Sequence, residues 1–133
     1  MTRTELEAVW GPRLLGLLRI VAAVLFMSHG AQKLFGFPPP AHGMPEAFTL
    51  LWFAAVLEVF GGFLILIGLF TRPVAFVLSG QMAVAYWMAH APNSVFPALN
   101  GGDAAILFCF IFLYLFAAGP GSFSVDKARE KSS

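Results

Sequence analysis

The chain has 133 residues, of which 59% are hydrophobic and only 11% are charged, with a formal net charge of +1. Soluble domains carry about 25% charged residues, so this composition argues against a soluble domain, and its apolar content excludes a disordered chain. The small net charge indicates no nucleic-acid partner. The single cysteine, Cys109, excludes an internal disulfide and a cysteine-rich metal site. These features predict a small, single-domain integral membrane protein.

The segment before the first long apolar run is predicted to form a short helix on the membrane surface. Thr4 and Glu7 have capping-box spacing, and Leu6, Val9 and Trp10 fall on one helical face. Basic residues before an apolar run are also typical of a signal peptide. Acidic residues in the leader, an arginine within the run and the lack of a small-residue cleavage site favour mature structure instead.

Four apolar stretches approach or meet the roughly 20 residues that a transmembrane helix needs. The predicted spans are about 14–35, 48–70, 74–91 and 104–118. Thr71-Arg72-Pro73 predicts a tight reversal, Asp103 is the expected N-cap of the last span, and Gly119-Pro120-Gly121 should end it. The sequence therefore predicts an all-α integral membrane four-helix bundle, built from two antiparallel helical hairpins and followed by a tail at 119–133.

Basic residues are concentrated on one side of this four-span arrangement, which predicts its orientation. That side carries Arg3, Arg13, Arg72, Lys127, Arg129 and Lys131. Only Lys33 lies on the other side. Both termini are therefore expected to face the cytoplasm, with the connections 36–47 and 92–102 outside.

Ionisable residues inside the spans are costly and usually face a bundle interior or a cavity. Arg19, His29 and Lys33 share one face of the first span, and small residues around Glu58 place it at a helix interface. A rise of about 1.5 Å per residue puts His29 and Glu58 at similar heights, ~24 Å and ~21 Å from the inner ends of their spans. Arg19 lies lower, where it is expected to snorkel to the inner interface or to approach Gln81.

Tyr86 and His90 are four residues apart on the third span and reach the same level. This pattern predicts a polar cavity open to the outer side, with Glu58 at its base and His29, Lys33, Tyr86 and His90 on its walls. The alternative interpretation is that Glu58 pairs with His29 or Lys33 only to fix helix register.

Two histidines at one height also suggest haem ligation by His29 and His90. Lys33 and Glu58 crowd the same level, which disfavours haem. A zinc site formed by the two histidines and Glu58 is chemically allowed and equally disfavoured. No metal site is predicted.

Three strings in the chain carry a family resemblance. They are His29-Gly30-Ala31-Gln32-Lys33-Leu34-Phe35-Gly36, the run 58–72 with Gly61-Gly62, and Gly119-Pro120-Gly121 followed by Ser124 and Asp126. In their order, their spacing and the four-span layout, the chain resembles the DoxX family of bacterial membrane proteins from Leu14 to Asp126. The resemblance selects as functional residues His29, Gln32, Lys33, Glu58 and Arg72.

The resemblance implies a helical bundle in the bacterial inner membrane that is associated with oxidoreduction. The family is related to the small membrane subunit of a thiosulfate:quinone oxidoreductase, which implies a quinone as ligand and redox proteins as partners. The chain lacks a CxxC motif, so a dithiol mechanism is not expected.

The leading hypothesis is an accessory subunit or quinone-site partner in membrane-linked oxidoreduction. Glu58 and His29 would relay protons or anchor a polar head group. The candidate ligand-binding residues are Lys33, Gln32, Tyr86, His90 and Arg19. The alternatives are a non-enzymatic scaffold or assembly factor and a small-molecule binding or transport protein. Whether the chain is itself catalytic, and whether it forms a homo-oligomer, stays open at this point.

Overall fold

The computed structural model describes residues 1–132, and all regular secondary structure in this part of the chain is helical, without a strand. The helices are α1 (Arg3–Phe35), α2 (Leu50–Ile67), α3 (Thr71–Asn93), α4 (Pro97–Asn100), α5 (Asp103–Ala118) and α6 (Val125–Ser132). Helices α1, α2 and α3 are long and apolar enough to cross a membrane, and α5 is a shorter apolar helix of 16 residues. The predicted all-α membrane bundle is confirmed.

The bundle consists of two helical hairpins, because α1 packs mainly against α2 and α3 packs mainly against α5. Glycine allows the close approach within the first hairpin. A Cβ added at Gly30 would lie 2.8 Å from the Cβ of Glu58 and 2.9 Å from the backbone oxygen of Ala55. Between the hairpins, the buried ring of Phe26 lies edge-on to Phe108 and Phe112, at centroid distances of 5.4 and 4.9 Å.

Helices α1 and α3 each contain one π-helical turn that ends two residues before a proline. These turns are Leu6–Trp10, before Pro12, and Tyr86–His90, before Pro92. Proline lacks an N–H donor and its ring collides with the preceding turn, so a wider turn lets the helix continue through it. The predicted N-terminal helix is therefore present, but it runs without a break into the first span.

Two predicted helix starts differ from the structure. The capping box is formed by Thr2 and Glu5 and not by Thr4 and Glu7, so helix α1 begins earlier than expected. Asp103 is the first residue of α5 and not its N-cap, because Gly102 occupies the cap position. The predicted end of α5 at Ala118, followed by Gly119, is confirmed.

The two ends of the bundle, the GPG end and the loop end, have different connections. The GPG end contains the turn 68–70 and the segment 119–124, which begins with Gly119-Pro120-Gly121. The loop end contains the connections 36–49 and 94–102. Polar side chains gather at both ends, but with different partners.

Candidate functional site

A cavity of about 960 Å³ lies between the two hairpins in the half of the bundle nearer the loop end. Residues of α1, α2, α3 and α5 form its walls, and most of them are apolar. This volume is at the upper end of the range for small-molecule sites, which are typically apolar with a few polar groups. The polar residues that line the cavity are His29, Lys33, Glu58, Gln81 and His90.

A buried ion pair forms part of the cavity wall. The Nζ atom of Lys33 lies 3.0 Å from Oε1 and 3.4 Å from Oε2 of Glu58. The Glu58 side chain is 4% exposed, whereas that of Lys33 is 29% exposed. The two helices meet closely here because Gly30, nearly one turn before Lys33, packs on Glu58. Glu58 therefore pairs with Lys33, and the ammonium group is the more accessible half of the pair.

Gln81 connects α3 to this ion pair and leaves one acceptor unused. Its Nε2 atom donates to the carbonyl oxygen of Ala54 at 3.2 Å and to Oε1 of Glu58 at 3.4 Å. Its Oε1 atom is buried and has no hydrogen-bond partner within residues 1–132. Buried polar atoms are rarely left unpaired. Gln81 was expected as a possible neighbour of Arg19 and not as a site residue, although an amide side chain inside an apolar span was the signal for such a role.

His29 lines the cavity as predicted, but it does not contact Glu58 in the predicted way. Its ring lies edge-on to Phe108, with centroids 6.1 Å apart, and the residue is exposed at the cavity surface. No hydrogen bond joins His29 to Glu58 in the described chain. The imidazole is therefore available to a ligand or to water.

His90 is held in a defined orientation at the loop end. Its Nδ1 atom lies 3.1 Å from the backbone oxygen of Asn100. A carbonyl oxygen only accepts hydrogen bonds, so Nδ1 carries the hydrogen, and Nε2 of the neutral ring is an acceptor. The ring of Tyr86 stacks on His90 at 6.4 Å. Tyr86 thus supports His90 and is not itself a lining residue.

Asn100 organises this corner and was missed by the sequence analysis. It is 6% exposed, its Nδ2 donates to the Tyr86 hydroxyl and to the Ser94 carbonyl, and its Oδ1 accepts from the Gly102 N–H at 2.8 Å. An asparagine directly before a Gly-Gly pair in an outer connection was the available signal. Its role is to fix the loop that orients His90.

Besides Tyr86, two more predicted ligand-binding residues lie outside the cavity, namely Gln32 and Arg19. Gln32 donates from Nε2 to the Pro39 carbonyl at 3.0 Å, so it ties α1 to the following connection. Arg19 is fully buried at the GPG end, where it donates to the carbonyl groups of Ile65, Leu66, Pro120, Ser122 and Phe123.

The contacts expected for Arg19 are wrong, because its side chain neither snorkels to an interface nor reaches Gln81. The last carbonyls of a helix have no partner within that helix, and Ile65 and Leu66 are in the last turn of α2. The turn at Gly119-Pro120-Gly121 presents further carbonyls to the same guanidinium group. Arg19 therefore holds the two hairpins together.

Asp126 and Arg72 cap helices at the same end. The Asp126 carboxylate accepts from the N–H groups of Phe70 and Thr71, each at 2.9 Å, and so caps α3. Burial by itself would raise the pKa of Asp126, but these hydrogen bonds outweigh it and hold the pKa below its usual value. Arg72 donates to the carbonyls of Phe116 and Ala117 in the last turn of α5.

The same arrangement indicates which groups could hold a ligand. Within residues 1–132, no three His, Cys, Asp or Glu side chains converge as metal ligands. The cavity presents an ammonium donor from Lys33 and free imidazole edges from His29 and His90, whereas the unpaired oxygen of Gln81 is buried within its wall. These groups can hydrogen-bond a neutral polar head, while the apolar walls accommodate a hydrophobic remainder.

The chain is similar to known proteins over most of its length. The model of the DoxX family matches residues 14–91. An uncharacterized protein of Haemophilus influenzae is 41% identical over 120 residues, which cover 86% of this chain and 90% of the relative. The inner membrane protein YphA of Escherichia coli is 30% identical over 127 residues, covering 87% of this chain and 90% of the relative. No solved structure matches the chain significantly. The apolar helices and the named relative support a bacterial inner-membrane location, and the chain belongs to the DoxX family.

Proposed function

We propose that this protein is an accessory subunit of a membrane-linked oxidoreduction system and that its cavity binds the head group of a quinone. The observation that carries the proposal is the Lys33–Glu58 ion pair at the wall of a large, mostly apolar cavity. Ionisable residues inside a membrane are expensive and usually serve a function. A buried ion pair is a weak source of stability, so a ligand-binding role explains it better than packing does.

The lining residues fit a quinone. When bound, a quinone would take up two electrons and two protons on reduction. Lys33 has donors to spare and can donate a hydrogen bond to a ring oxygen. His90 Nε2 is an acceptor and can bind a hydroxyl group of the reduced form. Glu58 and His29 hold and pass protons on the same wall. The electrons come from a partner oxidoreductase, so a redox protein is the expected partner.

Quinone extraction tests the proposal directly. The wild type, Glu58→Gln and the matched control Glu7→Gln are purified in detergent, and bound lipids are analysed by mass spectrometry. Glu7 pairs with Arg3 at 2.8 Å on the exposed surface, so its change removes an ion pair that lies outside the cavity. Wild type and Glu7→Gln should carry quinone, while Glu58→Gln should lose it at normal membrane levels. A wild type that lacks quinone but co-purifies another protein would support the scaffold alternative and overturn the proposal.

We also propose that both termini face the cytoplasm, as the distribution of basic residues predicts. The GPG end would then be cytoplasmic, and the cavity would lie in the outer half of the bilayer. A single cysteine introduced at Gly43 in a Cys109→Ala background should react with a membrane-impermeant maleimide in intact spheroplasts. A cysteine at Lys131 should react only after lysis, and the reverse pattern would invert the orientation.

A further inference from the structure

We infer that the ligand enters the cavity sideways from the lipid, through an opening between α2 and α3 beside Gly80. The ligand class is then a bilayer-dissolved molecule with a hydrogen-bonding head and an apolar chain. This inference deepens the proposed function by giving the route and the shape of the ligand. It rests on the side chains of the cavity wall, because those between α2 and α3 are also exposed on the outside of the bundle.

The cavity wall between α2 and α3 is made of side chains that are also exposed on the outside of the bundle. Phe53 on α2 is 53% exposed, and Val77, Val84 and Met88 on α3 are 52%, 57% and 61% exposed. All four line the cavity. Because these positions lie within membrane-crossing helices, the surface they share with the outside is in contact with hydrocarbon. The cavity is therefore continuous with the lipid phase on this side.

Gly80 marks the gap in this wall. A Cβ added at Gly80 would have no heavy atom within 4 Å, although the residue lies inside α3 and lines the cavity. Nearer the GPG end the two helices are closed against each other, since a Cβ at Gly61 would lie 2.9 Å from the Leu78 side chain. The helices thus touch below the cavity and separate beside it.

The polar groups lie inward of this opening and not in it. Gln81 and Glu58 bridge α3 and α2 behind the apolar rim, and Lys33 reaches Glu58 from α1. A molecule that enters from the lipid would place its polar head at this group. Its apolar chain would remain between α2 and α3, along Val84 and Met88. A quinone with a hydrocarbon chain has this shape, and a small polar solute does not.

The first experiment tests the opening without any ligand. Proteoliposomes are irradiated with a hydrophobic aryl diazirine that partitions into the bilayer, and labelling of Phe108 is measured by mass spectrometry. Phe108 lies on α5 in the deep wall and is 8% exposed. The variant Gly80→Leu fills the gap, and Gly11→Leu is the matched control, because its added Cβ also meets nothing within 4 Å.

We expect Phe108 to be labelled in the wild type and in Gly11→Leu, and labelling in Gly80→Leu to fall at least about fivefold, because the pocket is then closed to the lipid. Equal labelling of Gly80→Leu and wild type would overturn the inference. Absence of Phe108 labelling in the wild type would also overturn it.

The second experiment uses a ligand in the same proteoliposomes. Association of a benzoquinone with a ten-carbon chain, and of the same ring without a chain, is followed by quenching of tryptophan fluorescence. Gly80→Leu should slow association of the chain-bearing quinone about tenfold. It should leave the chainless ring nearly unaffected. Equal slowing of both, or of neither, would contradict the lateral route. If the wild type binds neither quinone, the proposed function fails, and the diazirine result alone decides the route.

Discussion

The GPG end and the cavity side of this bundle both bring polar side chains into an apolar interior, but they satisfy them differently. At the GPG end, Arg19 is fully buried and donates to five backbone carbonyls, and Asp126 accepts two backbone N–H groups. In the cavity, His29 has no hydrogen-bonded contact with Glu58, and Gln81 Oε1 has no partner in the described chain. A saturated polar group holds the fold, whereas an unsaturated group exposed to the cavity, such as the His29 imidazole, is available to a ligand.

The comparison also separates two meanings of a charged residue in a membrane span. Arg19 and Lys33 lie on the same helix, and from the sequence alone both are candidate ligand-binding residues. Arg19 donates to carbonyls at the end of α2 and in the segment 119–124, so its role is to join the hairpins. Lys33 meets a carboxylate and keeps 29% of its side chain exposed. We therefore expect replacement of Arg19 mainly to lower stability, and replacement of the Lys33–Glu58 pair mainly to lower ligand binding.

The largest expected effect is the loss of stability on replacing Arg19. Arg19→Met removes the guanidinium that donates to five carbonyl oxygens, of which only that of Ile65 keeps another donor among the described residues, the Gly68 N–H, so the free energy of unfolding should fall by at least about 3 kcal/mol. The measurement is chemical unfolding in detergent micelles. Arg13→Met is the control, because Arg13 is exposed and only stacks on Trp10, at 5.3 Å. A loss of stability no larger than that of the control would refute the structural role of Arg19.

A glycine pair sharpens the contrast between packed and open regions. Gly30→Ala would push a Cβ against the backbone oxygen of Ala55 at 2.9 Å, so it should cost about 1–3 kcal/mol of unfolding free energy. Gly80→Ala meets open space and should add about 0.5–1 kcal/mol, because alanine orders more easily in a helix. The same unfolding assay measures both. A loss of stability in Gly80→Ala as well would show that α3 is packed beside Gly80.

The helical bundle could be predicted from the sequence, because the lengths of apolar runs and the Gly and Pro residues that end helices are local signals. Helical rise placed His29 and Glu58 at similar heights, and of the two partners left open for Glu58, His29 and Lys33, the structure has Lys33. The partners of Arg19 could not be predicted, because they are backbone carbonyls 46 to 104 residues away along the chain. Asn100 was missed for a related reason, since its value depends on how a loop folds. A hydrogen bond from a side chain to a distant backbone group is hard to predict from sequence, because every residue type carries a backbone carbonyl.

The cap on α3 gives a pH-dependent prediction outside the membrane-spanning segments. Asp126→Ala removes the acceptor of two N–H groups and should cost about 1 kcal/mol at pH 7. Hydrogen bonding lowers the folded pKa of Asp126 below its ordinary value of 3.8. Its stabilising contribution is therefore full above that value and is lost as the pH falls through the folded pKa. Thermal unfolding of the wild type and of Asp126→Ala should show a difference in Tm at pH 7 that disappears in acid. A difference in Tm that grows in acid would contradict the lowered pKa of Asp126.

The smallest expected change in stability comes from removing the cavity ion pair as a unit. Lys33→Met alone leaves the Glu58 carboxylate buried without its cation, which is costly, but Lys33→Met with Glu58→Gln removes both charges. Replacing a buried pair by neutral groups of similar size is often harmless, so the double variant should unfold within about 1 kcal/mol of the wild type, or be more stable. It should nevertheless lose binding of the chain-bearing quinone in the fluorescence assay. A double variant that is as unstable as Arg19→Met would place this pair in the same class as the GPG end. A double variant that still binds quinone would remove the ion pair from the ligand site, because the apolar walls alone would then account for the binding.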